Sequence, residues 1–239
     1  MKTQDIEYHV GAERYVGYLA VDEARPGKRP GVLLSHEGGG LTELTKIFAR
    51  RLADLGYVAF CLDYHGDKRP TDMSKIMDRL GALISETPGI REIATTALKV
   101  LTDQPQTDPD RLAAIGYCFG GTTSLELARS GADLKAVVGF HSGLATPRPA
   151  QPGAIKGKVL TQIGVNDPII PPEQRIAFEA EMEAAGADWR MIVYGGAGHS
   201  FTNPNVGAFG RPGFEYHAPS DERSWRAMLD LFEEVFGVV

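Results

Sequence analysis

The chain has 239 residues, of which 43% are hydrophobic and 23% charged, and its formal charge at pH 7 is −6. This composition suits a globular enzyme, and the negative charge argues against general binding of nucleic acid or anionic membranes. It contains no long apolar membrane span, no secretory signal and only two cysteines, too few for a disulfide framework or a zinc cluster, so we expect a cytoplasmic protein with reduced thiols.

The first half of the chain alternates between strand-like and helix-like segments. Two short strands are predicted in YHVGAERYVGYLAVD, as an antiparallel ribbon at a sheet edge, and a buried strand in PGVLLSHE. Apolar residues at a spacing near 3.6 predict a helix in LTELTKIFARRLADLG, with Thr42 as its cap and Gly56 as its stop. The strand YVAFCLD and the helix REIATTALKVLTDQ follow.

The second half continues this alternation. The strand RLAAIGYC leads through a tight turn into the helix GGTTSLELARSG, and KAVVGFHS and KVLTQIGVND are the next strands. The helix PEQRIAFEAEMEAAG, the strand WRMIVYGGAG and the helix SWRAMLDLFEEVF complete the chain. Strands separated by helices predict one α/β domain over residues 1–239, with a mainly parallel sheet covered on both faces. Ligands of such sheets bind beyond the carboxyl ends of the strands.

The segment IGYCFGG, residues 115–121, has the pattern of a nucleophile elbow, G-x-S-x-G, with sulfur in the place of the serine hydroxyl. Cys118 is therefore a candidate nucleophile. The alternative is a small buried filler, since free cysteine is among the most buried residue types. Cys61, inside the apolar run YVAFCLD, is predicted to be such a core thiol.

A nucleophilic thiol needs a base and a group that orients the base. In this architecture the acid and then the histidine follow the nucleophile along the chain. Asp167 in IGVNDPIIPP and His199 in GGAGHSF each come after a predicted strand. No acid at a strand end precedes His141, and His217 lies in an irregular segment. The order of the chain therefore predicts a triad of Cys118, Asp167 and His199.

An oxyanion hole requires two backbone N–H donors. The residue after the nucleophile supplies one, here Phe119, and a loop after an early strand supplies the other, here Gly38 in SHEGGG. Glu37 lies within this loop, and its carboxylate would repel the negative charge that develops at the oxyanion site. It therefore needs a compensating cation, a raised pKa or a role of its own, such as a hydrogen bond to the Cys118 thiol.

Two further segments are candidates for the substrate pocket. Tyr64 and His65 follow the strand YVAFCLD and are candidate substrate-binding residues, although an ordinary loop explains them equally well. Residues 201–222 form a segment rich in glycine, proline and aromatic residues between the last strand and the last helix. A loop of this length is usually functional or mobile, so it either lines the pocket or wraps the surface.

Four motifs in this order resemble those of the dienelactone hydrolase family of α/β-hydrolases. GYCFGG is similar to its nucleophile elbow, NDPIIPP to its acid loop, GGAGHSF to its histidine loop and HEGGGL to its glutamate-bearing oxyanion loop. The resemblance implies an α/β-hydrolase fold and hydrolysis of a small-molecule ester or lactone through a thioester on Cys118, without a metal or organic cofactor. By the same resemblance, Glu37 binds the resting thiol and helps to form the thiolate when substrate arrives.

The chain departs from this family at one position. Enzymes that act on dienelactone carry an arginine shortly after the catalytic histidine, and Asn203 stands there in this chain. Asn203 is a candidate substrate-binding residue, but an amide cannot replace a guanidinium–carboxylate contact. Arg211 or Arg79 could supply a cation from elsewhere, so the prediction is limited to the reaction class. Non-catalytic ligand binding and redox sensing are the alternative functions, and both a monomer and a homodimer are open.

Overall fold

The computed structural model describes residues 1–70, 72–85 and 87–239. Within these ranges eight strands form one sheet: β1 (Lys2–Val10), β2 (Glu13–Val21), β3 (Arg29–Ser35), β4 (Val58–Leu62), β5 (Thr107–Tyr117), β6 (Ala136–Phe140), β7 (Lys158–Gly164) and β8 (Trp189–Tyr194). The helices of the same ranges are α1 (Glu43–Asp54), α2 (Met73–Ser85), α3 (Thr87–Thr102), α4 (Phe119–Arg129), α5 (Pro172–Ala185) and α6 (Ala218–Phe236).

The sheet is mainly parallel, as the alternation of strands and helices predicted. Its strand order is β1-β2-β4-β3-β5-β6-β7-β8. All pairs from β4 through β8 are parallel. The first two strands pair antiparallel with each other, and β2 pairs antiparallel with β4. The predicted edge ribbon is therefore confirmed, and the carboxyl ends of six strands meet at one edge of the sheet.

Helices cover both faces of the sheet because successive side chains of a strand point to opposite sides. On β3, Leu33 belongs to the apolar core beneath α2, α3, α4 and α5. Val32 and Leu34 belong to the second core, beneath α1 and α6. The three layers make up the α/β-hydrolase fold predicted from the sequence. None of the described helices is both long and apolar enough to cross a bilayer.

The last helix and α2 are among the elements that differ from the prediction. The last helix begins at Ala218, so residues 218–222 are helical and the irregular segment ends at His217. The reason is that Pro219 occupies the first helical turn, where its missing N–H costs nothing. The helix α2 was not predicted, although Ile76, Leu80 and Leu83 recur at helical spacing and are buried.

One parallel connection is made without a helix. Residues 141–157, all of them described, join β6 to β7 as an irregular segment. Arg129 of α4 holds this segment by donating a hydrogen bond to the carbonyl oxygen of Leu144 at 2.8 Å. The same guanidinium makes two hydrogen bonds to Glu181 of α5, at 2.8 and 2.7 Å, and one to the buried Glu126 at 3.0 Å.

Candidate active site

The candidate residues collect at the carboxyl edge of the sheet. Glu37 and Gly38 follow β3, Cys118 follows β5, Asp167 follows β7 and His199 follows β8. The long sequence separations between them are bridged because parallel strands all end at this edge. The structure thus brings together the three residues predicted as a triad and the loop predicted to supply the oxyanion hole.

The turn that carries Cys118 depends on close backbone packing. Cys118 itself has φ +55° and ψ −122°, a sparsely populated conformation for a residue with a side chain. A Cβ atom on Gly120 would lie 2.1 Å from the carbonyl oxygen of Ser35, and one on Gly116 would lie 2.1 Å from the backbone of Gly120. The glycines therefore let the elbow sit directly against β3, and Cys118 remains partly exposed.

Cys61 has the opposite environment. Its side chain is fully buried on β4, where Sγ lies 3.7 Å from the carbonyl oxygen of Thr45. Burial raises the pKa of this thiol, because the thiolate form would lose its hydration. The prediction that Cys61 is a core thiol is confirmed.

A chain of two hydrogen bonds links the three candidate catalytic side chains. His199 Nε2 lies 3.1 Å from Cys118 Sγ, and His199 Nδ1 donates to Asp167 Oδ2 at 2.7 Å. The other carboxylate oxygen of Asp167 accepts the backbone N–H of Ile169 at 2.8 Å, which fixes the carboxylate. The His199 imidazole and the Asp167 carboxylate are both buried. The imidazole is thus oriented by one partner and placed to exchange a proton with the other.

The surroundings of His199 favour its protonated form. Burial alone would lower its pKa, but the charge of Cys118 and the hydrogen bonds of His199 with Asp167 and Cys118 outweigh burial and raise the pKa to about 10. The folded-state pKa lies above the ordinary value of 6.5. The contribution of the protonated imidazole to the free energy of unfolding is therefore complete below pH 6.5 and is lost as the pH rises through about 10.

We expect removal of the sulfur to change this titration. In Cys118→Ala the imidazole keeps Asp167 and its burial but loses the thiolate charge, so the pKa of His199 should fall by about one unit or more. The measurement is an NMR titration of the labelled imidazole between pH 5 and pH 11. Coincident His199 curves for the wild type and Cys118→Ala would contradict the assignment of the thiolate as a cause of the raised pKa.

The two predicted oxyanion donors are available for a ligand. No acceptor among the described residues takes the backbone N–H of Phe119 or of Gly38. The Tyr64 hydroxyl lies 2.8 Å from the carbonyl oxygen of Glu37, and His65 Nε2 donates to the carbonyl oxygen of Gly38 at 2.8 Å. These two contacts hold the carbonyl groups of the loop and so orient its peptide units.

Tyr64 and His65 follow β4 as predicted, but their side chains turn away from the solvent. Both side chains are essentially inaccessible to solvent, at 0% and 1% exposure. Burial lowers the pKa of His65 to about 4, so its imidazole is neutral near pH 7. Their polar groups bind the carbonyl oxygens of the loop after β3, so both side chains support that loop and are not exposed to a ligand.

Glu37 is bound by the loop that carries the histidine. Ser200 Oγ donates to Glu37 Oε1 at 2.9 Å, and Asn203 Nδ2 donates to Glu37 Oε2 at 2.6 Å. Burial raises the pKa of the Glu37 carboxyl group, and the two hydrogen bonds oppose this rise without cancelling it. No hydrogen bond joins Glu37 to Cys118 in the described part of the chain. Asn203, expected to contact substrate, is 7% exposed and contacts Glu37 instead.

His141 is a site residue that chain order alone set aside. Its Nδ1 accepts the backbone N–H of Cys118 at 3.1 Å, and its Nε2 donates to Thr202 Oγ1 at 2.8 Å. Burial lowers the pKa of His141 well below 6.5, which keeps Nδ1 an acceptor. The neutral ring therefore connects the elbow to the histidine loop. The sequence feature that could have identified His141 as a site residue is its position directly after the buried strand β6.

Arg211 and Arg79 are the two residues considered as replacements for the missing arginine, and they lie in different surroundings. Arg211 lies over the ring of Phe214, at 5.3 Å from its centroid, and this ring lies 4.8 Å from the imidazole of His199. Arg79 belongs to α2, whose neighbouring Leu80 approaches Gly38. Among the described residues no group of three or more histidine, cysteine or acidic side chains is arranged to hold a metal ion.

Within residues 1–70, 72–85 and 87–239, three non-glycine residues have left-handed backbone conformations, and all three belong to this site. They are Cys118 at φ +55°, His141 at φ +42° and Ser200 at φ +54°. Each such residue costs of order 1–3 kcal/mol and persists where the surroundings over-determine it. The strain of the described backbone is thus concentrated at the three turns that meet around Cys118.

Comparison with known proteins identifies similar chains. The profile of the "Dienelactone hydrolase family" matches residues 16–236. A relative in Escherichia coli (strain K12), named "Putative carboxymethylenebutenolidase", is 30% identical over 230 residues, which cover 92% of this chain and 82% of the relative. The solved structure "m3DLH" is 45% identical, with a TM-score of 0.94 over 98% of both chains. The "Dienelactone Hydrolase-like Promiscuous Phospotriesterase P91 from Metagenomic Libraries" is 40% identical, with a TM-score of 0.92 over 99% of both chains.

Proposed function

Because this chain belongs to the dienelactone hydrolase family and is an ester or lactone hydrolase, we propose that it cleaves its substrate through a thioester on Cys118. The observation that carries the proposal is the pair of hydrogen bonds that His199 makes, with Cys118 at 3.1 Å and with Asp167 at 2.7 Å. A thiolate is the nucleophilic form of cysteine, and a neighbouring imidazolium stabilises it.

The first half of the reaction forms the thioester. The Cys118 thiolate attacks the carbonyl carbon, and the carbonyl electron pair moves onto oxygen to give an oxyanion. The N–H groups of Phe119 and Gly38 donate hydrogen bonds to this oxyanion, and loss of one such donor typically costs about 3 kcal/mol of transition-state stabilisation. The intermediate collapses, the carbon–oxygen bond to the alcohol portion breaks, and His199 Nε2 gives its proton to the departing alkoxide. In a lactone the alcohol remains attached to the acyl group.

The second half consumes water. His199, now neutral, takes a proton from a water molecule whose oxygen attacks the thioester carbon. A second oxyanion forms in the same position, the carbon–sulfur bond breaks, and the carboxylic acid leaves. The thiolate and the imidazolium are restored, and the hydrogen bond to Asp167 holds the imidazole in one tautomer. One water is consumed for each ester or lactone bond that is cleaved.

The substrate is a small molecule, and the site supports one that does not depend on a cation at position 203. Asn203 is buried and has both ends of its amide engaged, by Glu37 and by the N–H of Asn205. The names of two relatives supply the first compounds to test, a carboxymethylenebutenolide lactone and an uncharged phosphotriester. Aryl esters complete the set. We also propose that the protein is cytoplasmic and that it is a monomer or a homodimer.

Trapping of the acyl-enzyme tests the proposal directly. The enzyme is mixed with a slowly hydrolysed aryl ester and quenched in acid, and the protein is digested and analysed by mass spectrometry. We expect the acyl mass on the peptide that contains Cys118, and its loss on treatment with hydroxylamine. The buried Cys61 provides an internal control in the same digest, since it should carry no acyl group.

The same experiment separates the alternative functions. A ligand-binding protein would show no acyl mass and no release of alcohol. A redox sensor would show oxidation of Cys118 by peroxide with no acylation. Release of alcohol without an acyl mass on Cys118, after quenching at times shorter than one turnover, would argue for hydrolysis by another route and against the thioester.

A further inference from the structure

Glu37 is joined to the histidine loop by two hydrogen bonds from residues 163 and 166 positions away in the sequence. We propose that Ser200 and Asn203 are positioning residues that hold the Glu37 carboxyl group off the Cys118 thiol, and so leave the thiol to His199 before any substrate binds. The proposal rests on the assignment of Cys118 as the nucleophile. It adds a pair of residues that control the resting state of that nucleophile.

Both ends of the Asn203 amide are engaged by other residues of the protein. Its Oδ1 accepts the backbone N–H of Asn205 at 2.9 Å, which directs Nδ2 toward Glu37 at 2.6 Å. Because the atom that accepts the Asn205 N–H must be the amide oxygen, the atom that faces Glu37 is the amide nitrogen. The side chain is 7% exposed, so neither end is open to solvent or to a substrate group.

Ser200 completes the arrangement from the position next to His199. Its left-handed backbone, φ +54°, turns Oγ toward Glu37 Oε1 at 2.9 Å. A hydroxyl can donate or accept, whereas an amide nitrogen can only donate. Asn203 therefore donates to Glu37 Oε2 whether the Glu37 carboxyl group is ionised or protonated. The Ser200 hydroxyl donates to Oε1 of the carboxylate and can accept a hydrogen bond when Oε1 is protonated.

Without these donors Glu37 would compete with His199 for the thiol. The start of its loop lies against the elbow, since a Cβ on Gly120 would come within 2.4 Å of the carbonyl oxygen of His36. A buried carboxylate without partners is costly, and it takes the nearest donor. The S–H of Cys118 is such a donor, and a thiol that donates to a carboxylate remains neutral and poorly nucleophilic.

Other charges around the site must be considered, because the test is a pH profile. Asp167 is occupied by His199, and His141 is neutral and turned to the backbone of Cys118. The titratable and charged groups that face Glu37 and Cys118 from the surrounding strand ends are His36, Asp63, Tyr64, Arg69, Tyr117, His141, Asp167 and His199. None of these groups is altered by a substitution at position 203, so a shift in the profile reports on Glu37.

The experiment measures alkylation of Cys118 by iodoacetamide in the free enzyme between pH 4.5 and pH 9. In Asn203→Leu we expect the pH of half-maximal rate to rise by about one unit, which is about a tenfold slower reaction on the acid side. The matched control is Asn205→Leu, the same substitution at an exposed side chain two residues away, and its profile should follow the wild type. Mass spectrometry assigns the label to Cys118 or to Cys61.

A second substitution distinguishes positioning from general damage. In Asn203→Leu/Glu37→Met the competing carboxylate is gone, so the alkylation profile should return to that of the wild type. A wild-type profile for Asn203→Leu, or a double variant as slow as the single one, would overturn the proposal. If Asn203→Leu does not fold, Ser200→Ala with and without Glu37→Met gives the same comparison and is decided in the same way.

Failure here is distinguishable from failure of the proposed function. Alkylation needs no turnover, so the profiles can be compared even for an inactive protein. If Cys118→Ala kept its full rate of ester hydrolysis, the thioester mechanism would fall whatever the profiles showed. If Cys118→Ala lost activity while the Asn203→Leu profile matched the wild type, the mechanism would stand and only the role of Ser200 and Asn203 would be rejected.

Discussion

Cys118→Ala should lower kcat/KM for an aryl ester by about 10⁴-fold or more, the scale seen when a covalent nucleophile is removed from a triad. The oxyanion donors and His199 remain in this variant, but no atom is left to form the acyl intermediate. Cys118→Ser should also be strongly impaired, since an alkoxide is much harder to generate than a thiolate beside the same imidazole. Steady-state hydrolysis, corrected for the rate without enzyme, provides the measurement.

The matched control is Cys61→Ala, which deletes the other thiol of the chain. Cys61 is buried in the apolar core on β4, so its loss should cost about 1 kcal/mol of stability and leave kcat/KM close to that of the wild type. An unchanged rate in Cys118→Ala, measured at the same fraction of folded protein, would rule out Cys118 as the nucleophile.

Arg129→Met should lower the free energy of unfolding by about 3–5 kcal/mol, the usual result of removing one partner from a buried ion pair. The side chains of Arg129 and Glu126 are 1% and 0% exposed, and Arg91 would be the remaining cation on Glu126. The variant also loses the hydrogen bond to Leu144 that holds the connection between β6 and β7. Urea denaturation followed by circular dichroism measures the change.

Arg226→Met is the control for this prediction. Arg226 pairs with Glu222 on the exposed side of α6, and such surface pairs contribute about 0–1 kcal/mol. In Arg129→Met/Glu126→Leu the more deeply buried of the two carboxylates that lose Arg129 is also removed, so part of the lost stability should return. Equal stabilities for Arg129→Met and Arg226→Met would show that the buried network does not stabilise the fold.

The sequence was sufficient for the fold and for bringing the three candidate side chains together. Strands separated by helices can pair in parallel, and their carboxyl ends then share one edge. Cys118, Asp167 and His199 each follow a strand, so their meeting required no knowledge of side-chain orientation. The same argument placed Gly38 beside the elbow, because it depends on backbone position alone.

The partners of individual polar groups could not be read in the same way. Glu37 was expected near the thiol, but its hydrogen bonds go to Ser200 and Asn203, whose direction depends on the turn after His199. Tyr64 and His65 follow a strand as expected, yet their side chains turn inward to the oxyanion loop. Pattern and spacing locate a residue along the edge of the sheet, whereas local dihedral angles decide which way its side chain points.

The three left-handed residues also limit how this enzyme can be made more heat-resistant. Substitution by glycine at Cys118, His141 or Ser200 would relax the backbone, but it would delete the sulfur, the ring that holds the elbow or the hydroxyl on Glu37. Stability gained at these turns would therefore be lost as activity. Thermostabilising changes belong in the outer helices and the β1–β2 ribbon, where they leave the geometry around Cys118 untouched.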